Sequence, residues 1–132
     1  MKRFPMLIVL LLILSACSNE TSTDDLTGTW KQTNANDEDS TMEAVIENDT
    51  ITIDWIMDNG DSRAVYWVGT YDAPSEEVSE YSWTSEKDID ATQYALLASI
   101  ADTKDFKYEE GELNFEFEMM GMQMTIRMEL ED

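Results

Sequence analysis

From Thr27 to the end of the chain, apolar and polar residues alternate with a period of two, and this alternation limits the possible folds more than any other feature. The pattern is clearest in segments 113–119 and 122–130, where every second residue is apolar and most of the others are polar or acidic. A period of two is that of a β-strand with one buried face. Between two earlier segments stands Asp58-Asn59-Gly60-Asp61, and Asn-Gly favours tight hairpins because both residues tolerate positive φ. The sequence therefore predicts antiparallel strands joined by hairpins.

The alternating segments amount to about eight strands. A meander of this size must protect its edge strands, and closure into a barrel does so. We therefore predict an all-β fold, a small antiparallel, lipocalin-like barrel with one short helix; a two-sheet β-sandwich is the alternative. The helix, or an irregular plug, is expected within Ile89–Ala101, which is rich in Ala and Leu. Ser62–Tyr71 is apolar on both faces, which predicts a central strand or one covered on both sides.

Large aromatic residues predict a barrel interior filled by side chains rather than an open ligand cavity. Trp30 is expected to be buried at one end of the barrel. Gly28 would let the chain approach closely where the first strand begins, while Thr29 and Lys31 would take the solvated face.

Composition excludes several classes of function. The 132 residues include 8 Lys and Arg, 29 Asp and Glu, no histidine and one cysteine, for a net charge of −21. Such a charge repels phosphate backbones, so no nucleic-acid partner is expected. The missing histidine removes Ser-His and Cys-His nucleophiles and His-ligated zinc, and one cysteine cannot form an internal disulfide. We expect no enzyme activity, no cofactor and no metal. The acidic run Asp37-Glu38-Asp39 lacks the spacing of a calcium loop and is interpreted as a solvated loop.

The first 17 residues predict export and lipidation. Lys2 and Arg3 precede the apolar run Met6–Leu14, which is too short to cross a bilayer as a helix and is typical of a signal peptide. Leu14-Ser15-Ala16-Cys17 resembles the lipobox of bacterial lipoproteins. The resemblance implies cleavage before Cys17, which would leave a charge of −23, and a diacylglyceryl group on the thiol. The expected organisation is a signal peptide at 1–16, a lipidated Cys17 and flexible tether at 17–26, and a barrel domain at 27–132. The domain would then lie on the outer side of the cell membrane.

Two further resemblances concern the domain. Gly28-Thr29-Trp30 resembles the G-x-W motif of lipocalins and other calycins, whose last strand carries an arginine that packs over the tryptophan; Arg127 stands near that place. Three segments also resemble a group of small lipoproteins of Gram-positive bacteria and their phages or prophages. They are Thr27–Gln32, the segment around Asp58–Asp61 with Tyr66-Trp67, and Ala95–Ser99 with Asp102–Lys104. This resemblance implies phage or prophage origin and a role in superinfection exclusion.

The predicted function is a non-enzymatic, monomeric binding module that is anchored in the lipid bilayer and contacts a protein partner. Aromatic residues are natural contact anchors, and the candidates are Tyr66, Trp67, Tyr71, Tyr81 and Trp83, although they could instead pack a second face. The alternative is a carrier of a small apolar ligand, with a pocket formed by the methionines of 119–128.

Overall fold

The computed structural model describes residues 22–35, 39–119 and 121–131. Within them are eight β-strands, one α-helix of a single turn and a short 3-10 turn at Asp58–Gly60. In chain order these elements are β1 (Gly28–Gln32), β2 (Ser40–Glu47), β3 (Thr50–Met57), β4 (Ser62–Thr70), β5 (Glu80–Glu86), α1 (Ile89–Thr92), β6 (Thr103–Glu109), β7 (Glu112–Met119) and β8 (Met122–Leu130). The predicted signal peptide and Cys17 lie outside the described residues.

The eight strands form one antiparallel sheet in the order β4-β3-β2-β1-β8-β7-β6-β5. Most neighbours are joined by short turns, and the first strand also pairs with the last, with Trp30 opposite Leu130. The sheet curls into a half-barrel. The prediction of an all-β, antiparallel, barrel-like fold with about eight strands and one short helix is confirmed, and the sheet is not divided into a sandwich.

The two end strands of the sheet, β4 and β5, meet along a seam that has no regular ladder. In the part of the chain that the structure describes, one isolated bridge joins the two sides, between Gly69 of β4 and Lys87, the residue that follows β5. A side-chain hydrogen bond crosses the same gap, from Trp67 Nε1 to Ser85 Oγ at 3.0 Å. A Cβ at Gly69 would lie only 2.7 Å from the Glu86 carbonyl oxygen. The seam can therefore close only because residue 69 has no side chain.

β4 is an end strand, so of the two predicted alternatives, a central strand or one covered on both sides, the central position was wrong. Its pairing with β3 shifts between Ile53 and Asp54, which leaves Tyr66 as an extra residue opposite no partner. This bulge turns both Tyr66 and Trp67 into the core, although neighbours in a regular strand point to opposite faces. The free edge of β4 is contacted by the connection that follows β5, where Ser99 N donates to Tyr66 O at 2.9 Å.

The barrel has two ends with different connections. At the end that we call proximal lie the start of β1, the β2–β3 and β6–β7 turns, the 71–79 loop and the end of β8. At the opposite end, called distal, lie the β1–β2 and β3–β4 connections, the β7–β8 turn and residues 87–102. Everything that joins the domain to the preceding chain is therefore at the proximal end.

Residues 22–26, predicted as the last part of a flexible tether, are packed against the domain. Thr23 and Val78 exchange two backbone hydrogen bonds of 2.9 Å. Leu26 is buried, and its N–H donates to the hydroxyl of Tyr71 at 2.9 Å. Burial raises the pKa of that hydroxyl, which keeps it neutral. Residues 23–26, which precede the predicted domain start at Thr27, are therefore packed as part of the domain.

Trp30 is buried near the proximal end, as predicted. Its Nε1 donates to the Leu26 carbonyl at 2.9 Å, and its ring meets Tyr108 edge-on at 6.3 Å. Gly28 has φ +141°, and a Cβ there would lie 2.7 Å from Leu130 Cδ1. The close approach predicted at Gly28 is therefore present.

Candidate interaction surface

The aromatic residues expected to contact a partner are mostly core residues. Tyr66, Trp67, Tyr71 and Trp83 are buried, and Tyr81 is partly buried. The bulge in β4 accounts for the burial of Tyr66 and Trp67. Tyr71 and Trp83 pack edge-on against each other, with ring centroids 5.1 Å apart. The expectation that these side chains are exposed is corrected, and surface contacts must be sought elsewhere.

The interior of the distal half is filled by aromatic rings. Phe117 packs against Trp55 and Tyr66, with centroid distances of 5.3 and 5.5 Å. Tyr66 also stacks on Phe115 at 6.3 Å. The prediction of a packed interior agrees with these contacts, which occupy the space that a ligand of the alternative carrier function would need.

Lys104 also points into this interior. It is 9% exposed, and its Nζ donates to the Glu116 carbonyl at 3.0 Å. The ammonium lies 5.1 Å from the ring centroid of Tyr66, 5.6 Å from Trp67 and 5.7 Å from Phe115. Aromatic faces attract a cation, and here they take the place that a carboxylate would hold in an ion pair. The consequence for the surface is that this positive charge is withdrawn from the distal end.

Residues 87–102, the distal connection between β5 and β6, bury polar side chains and expose apolar ones. The side chain of Asp88 accepts from Ala91 N and caps α1, which ends after one turn at Thr92. The inward positions are taken by Thr92 and Ser99, which are buried. Large apolar residues take the outward positions instead. The segment was expected to be a short helix or a plug; it contains the short helix, but its apolar side chains do not fill the barrel.

Three of these outward residues, together with Met122 at the start of β8, form what we call the distal apolar surface. Its members are Leu96, Leu97, Ile100 and Met122. Leu96 and Ile100 are each 97% exposed, which means that they contact almost nothing. All four line one open groove of about 850 Å³ between the distal connection and the β7–β8 turn. Trp55 Nε1 reaches the Leu97 carbonyl at 3.4 Å and fixes the connection to β3. Tyr94, 86% exposed, belongs to the same connection.

The margin of this surface is acidic. Asp102 and Glu118 line the same groove as the four apolar residues. Further exposed carboxylates at the distal end are those of Asp58, Asp61, Asp88 and Asp90. Lys87 and Arg63 also belong to the distal end, but neither lines the groove, and Lys104 is turned inward; the charged side chains that line the groove are the two carboxylates of Asp102 and Glu118.

Several carboxylates on the outer face of the sheet are held in ion pairs. Glu43 lies 2.7 Å from Lys31 Nζ and 2.5 Å from Arg63 Nη2. Burial alone would raise the pKa of Glu43, but the hydrogen bonds from these two cations outweigh it and hold the pKa below its ordinary value.

Arg127 pairs with Glu112 at 2.8 Å on the polar face, so it does not pack over a tryptophan as the calycin resemblance implies.

The remaining sequence expectations concern metals and membrane helices. Among the described residues, no group of three or more acidic or cysteine side chains is arranged to hold a metal ion. Asp37 and Glu38 of the acidic run lie outside those residues. The part of the chain that the structure describes also contains no helix long and apolar enough to cross a bilayer.

Comparison of the chain with models of known protein families, with curated proteins and with solved structures finds no match.

Proposed function

We propose that the chain is an extracytoplasmic lipoprotein anchored in the cell membrane through acylated Cys17, and that its domain is a monomeric, non-enzymatic module that binds a partner at its distal end. The observation that carries the proposal is the distal apolar surface. Large apolar side chains as exposed as Leu96 and Ile100, gathered in one groove, mark an interaction site more often than an ordinary surface.

The position of this surface fits an anchored protein. The ordered domain begins at the proximal end, where Thr23 is tied to Val78. An anchor at Cys17 would hold the proximal end toward the bilayer and direct the distal end outward. A surface meant for a partner would then face the medium.

The alternative functions have less support. A carrier of a small apolar ligand needs interior space, and aromatic rings fill the distal half of the barrel. The phage or prophage origin and the role in superinfection exclusion rest on the sequence resemblance. Such a role would use the same outward-facing surface, because exclusion requires contact with a component at the cell envelope.

The anchor is tested by the variant Cys17→Ser, with Ser18→Ala as the matched control. We expect the wild type and the control in the membrane fraction, with an intact mass that includes a diacylglyceryl group. Cys17→Ser lacks the thiol that carries the acyl chains and should leave the membrane fraction or stay unprocessed. A Cys17→Ser variant that is cleaved and still membrane-bound, or a wild-type protein without added lipid, would refute the proposed anchoring.

A further inference from the structure

We infer that the distal apolar surface docks a protein segment that is apolar at its centre and basic at its margins, such as one face of a cationic amphipathic helix. The inference rests on the proposed function, because the anchor at Cys17 sets the orientation of the domain. It goes further by naming the chemistry of the partner.

The apolar centre of the partner follows from the side chains that the domain leaves uncovered. The distal connection buries Thr92 and Ser99 and exposes Leu96 and Ile100, the opposite of what solvent favours. Burying two such side chains against a partner removes apolar area from water and so contributes to the free energy of binding. The groove between the distal connection and the β7–β8 turn is open along its length and suits a side-chain ridge of a helix.

The basic margin follows from charge. Asp102 and Glu118 flank the groove, and the chain as a whole carries a net charge of −21. Lys104 is turned into the barrel and does not offset this charge at the surface. A basic partner would be attracted, whereas a second copy of the chain would place two acidic margins against each other. A second copy is therefore disfavoured as the occupant.

The bilayer that holds the anchor is disfavoured by distance. From Cys17 to Ser22, the first described residue, there are five residues, which reach at most about 18 Å when fully extended. An eight-residue strand such as β2 rises about 20 Å along the axis of a tilted barrel, and the distal connection adds to that height. The tether is too short for the distal end to turn back to the membrane. Anionic lipid headgroups would also repel the acidic margin.

The test measures binding of a defined peptide to the whole exported protein. The lipidated protein is held in nanodiscs of phosphatidylcholine, and a protein without lipid is measured in buffer. The probe is a fluorescent amphipathic helix of about five turns built from Leu and Lys, and its partner probe has Glu in place of Lys. The test variant is Leu96→Ser with Ile100→Ser, which leaves the charge unchanged. Leu130→Ser is the matched control, since Leu130 is a 49% exposed apolar residue at the proximal end. Empty nanodiscs correct for binding to lipid.

We expect the Leu/Lys peptide to bind the wild type and the Leu130→Ser variant equally, and the double variant at least about tenfold more weakly. Added NaCl should weaken the binding, and the Leu/Glu peptide should not bind. The inference is overturned by equal binding of the Leu/Lys peptide to the double variant, or by equal binding of the Leu/Glu peptide. It is also overturned if peptide binding is unchanged in the double variant while binding to phosphatidylglycerol vesicles is lost. The same holds if peptide binding is unchanged while self-association, measured by sedimentation, is lost. The Cys17 experiment tests the anchor separately, so the two proposals fail by different results.

Discussion

Replacement of Trp30 by alanine tests how the proximal end of the domain is held together. The ring is 2% exposed, lies against Tyr108 and donates a hydrogen bond to the Leu26 carbonyl. Removing a buried ring of this size costs about 3–5 kcal/mol, because the lost contacts leave a cavity that the neighbours fill only in part. A small domain has a free energy of unfolding of about 5–15 kcal/mol, so the variant should be folded only marginally or not at all.

A second substitution separates the volume of the ring from its hydrogen bond. Trp30→Phe keeps much of the apolar volume but leaves the buried Leu26 carbonyl without its indole donor. An unpaired buried polar group costs about 1–3 kcal/mol, so Trp30→Phe should lie between the wild type and Trp30→Ala. Leu130→Ala, which shortens a half-exposed side chain, serves as the control and should cost less than either.

Urea denaturation followed by far-ultraviolet circular dichroism measures these differences without depending on tryptophan fluorescence. The order of stability should be wild type, Leu130→Ala, Trp30→Phe, Trp30→Ala. A Trp30→Ala variant that unfolds cooperatively with a loss below about 1 kcal/mol would show that the ring is not a core residue, since surface substitutions have effects of that size.

Two further predictions concern the seam and the outer face. Gly69→Ala places a Cβ 2.7 Å from a backbone oxygen of β5, so the strands must separate; we expect a loss of about 1–3 kcal/mol in the free energy of unfolding, and an unchanged melting temperature would contradict the close approach. Glu43 has a lowered pKa in the folded state, so its stabilising effect is present above its ordinary pKa of 4.5 and is lost as pH falls through the folded value. The stability difference between wild type and Glu43→Gln should therefore shrink in acid; urea titrations at neutral and acidic pH measure it, and a constant difference would refute the ionic role.

The strands and several turns could be predicted because each depends on local chemistry. Alternation identifies a strand wherever one of its faces is buried and the other is solvated. The two-residue turn at Asn48-Asp49 was also predictable, because asparagine tolerates positive φ. In the structure Asn48 has φ +58°. Asn59 and Gly60 have positive φ as well, although their connection has four residues instead of the two of the tightest hairpins.

Burial of the aromatic residues in β4 could not be predicted, because it depends on a tertiary feature. A regular strand would place Tyr66 and Trp67 on opposite faces, and the sequence carries no glycine or other local sign of a bulge between them. The interior position of Lys104 is also set by distant residues. Its alternation with Phe106 and Tyr108 indicates an inward face, but the rings that receive the ammonium come from β4 and β7.

The distal apolar surface was missed for a similar reason. The Ala- and Leu-rich composition of Ile89–Ala101 predicts burial, and nothing in it shows which side chains face outward. The orientation is decided by backbone hydrogen bonds to β4, from Asp88 N to Val68 O and from Ser99 N to Tyr66 O. These bonds fix both ends of the connection and leave Leu96 with no position in the core.

The pairing of the first strand with the last has a consequence for when the domain can fold. Trp30 lies opposite Leu130, a hundred residues further along the chain, and β1 has no other neighbour on that side. A chain that passes through a translocation pore with its N-terminus leading cannot complete this ladder until Leu130 has emerged. Contacts so distant in sequence also form slowly. If the chain is exported and lipidated as we propose, export would act on an incompletely folded chain, and Cys17 would reach the membrane before the barrel is complete.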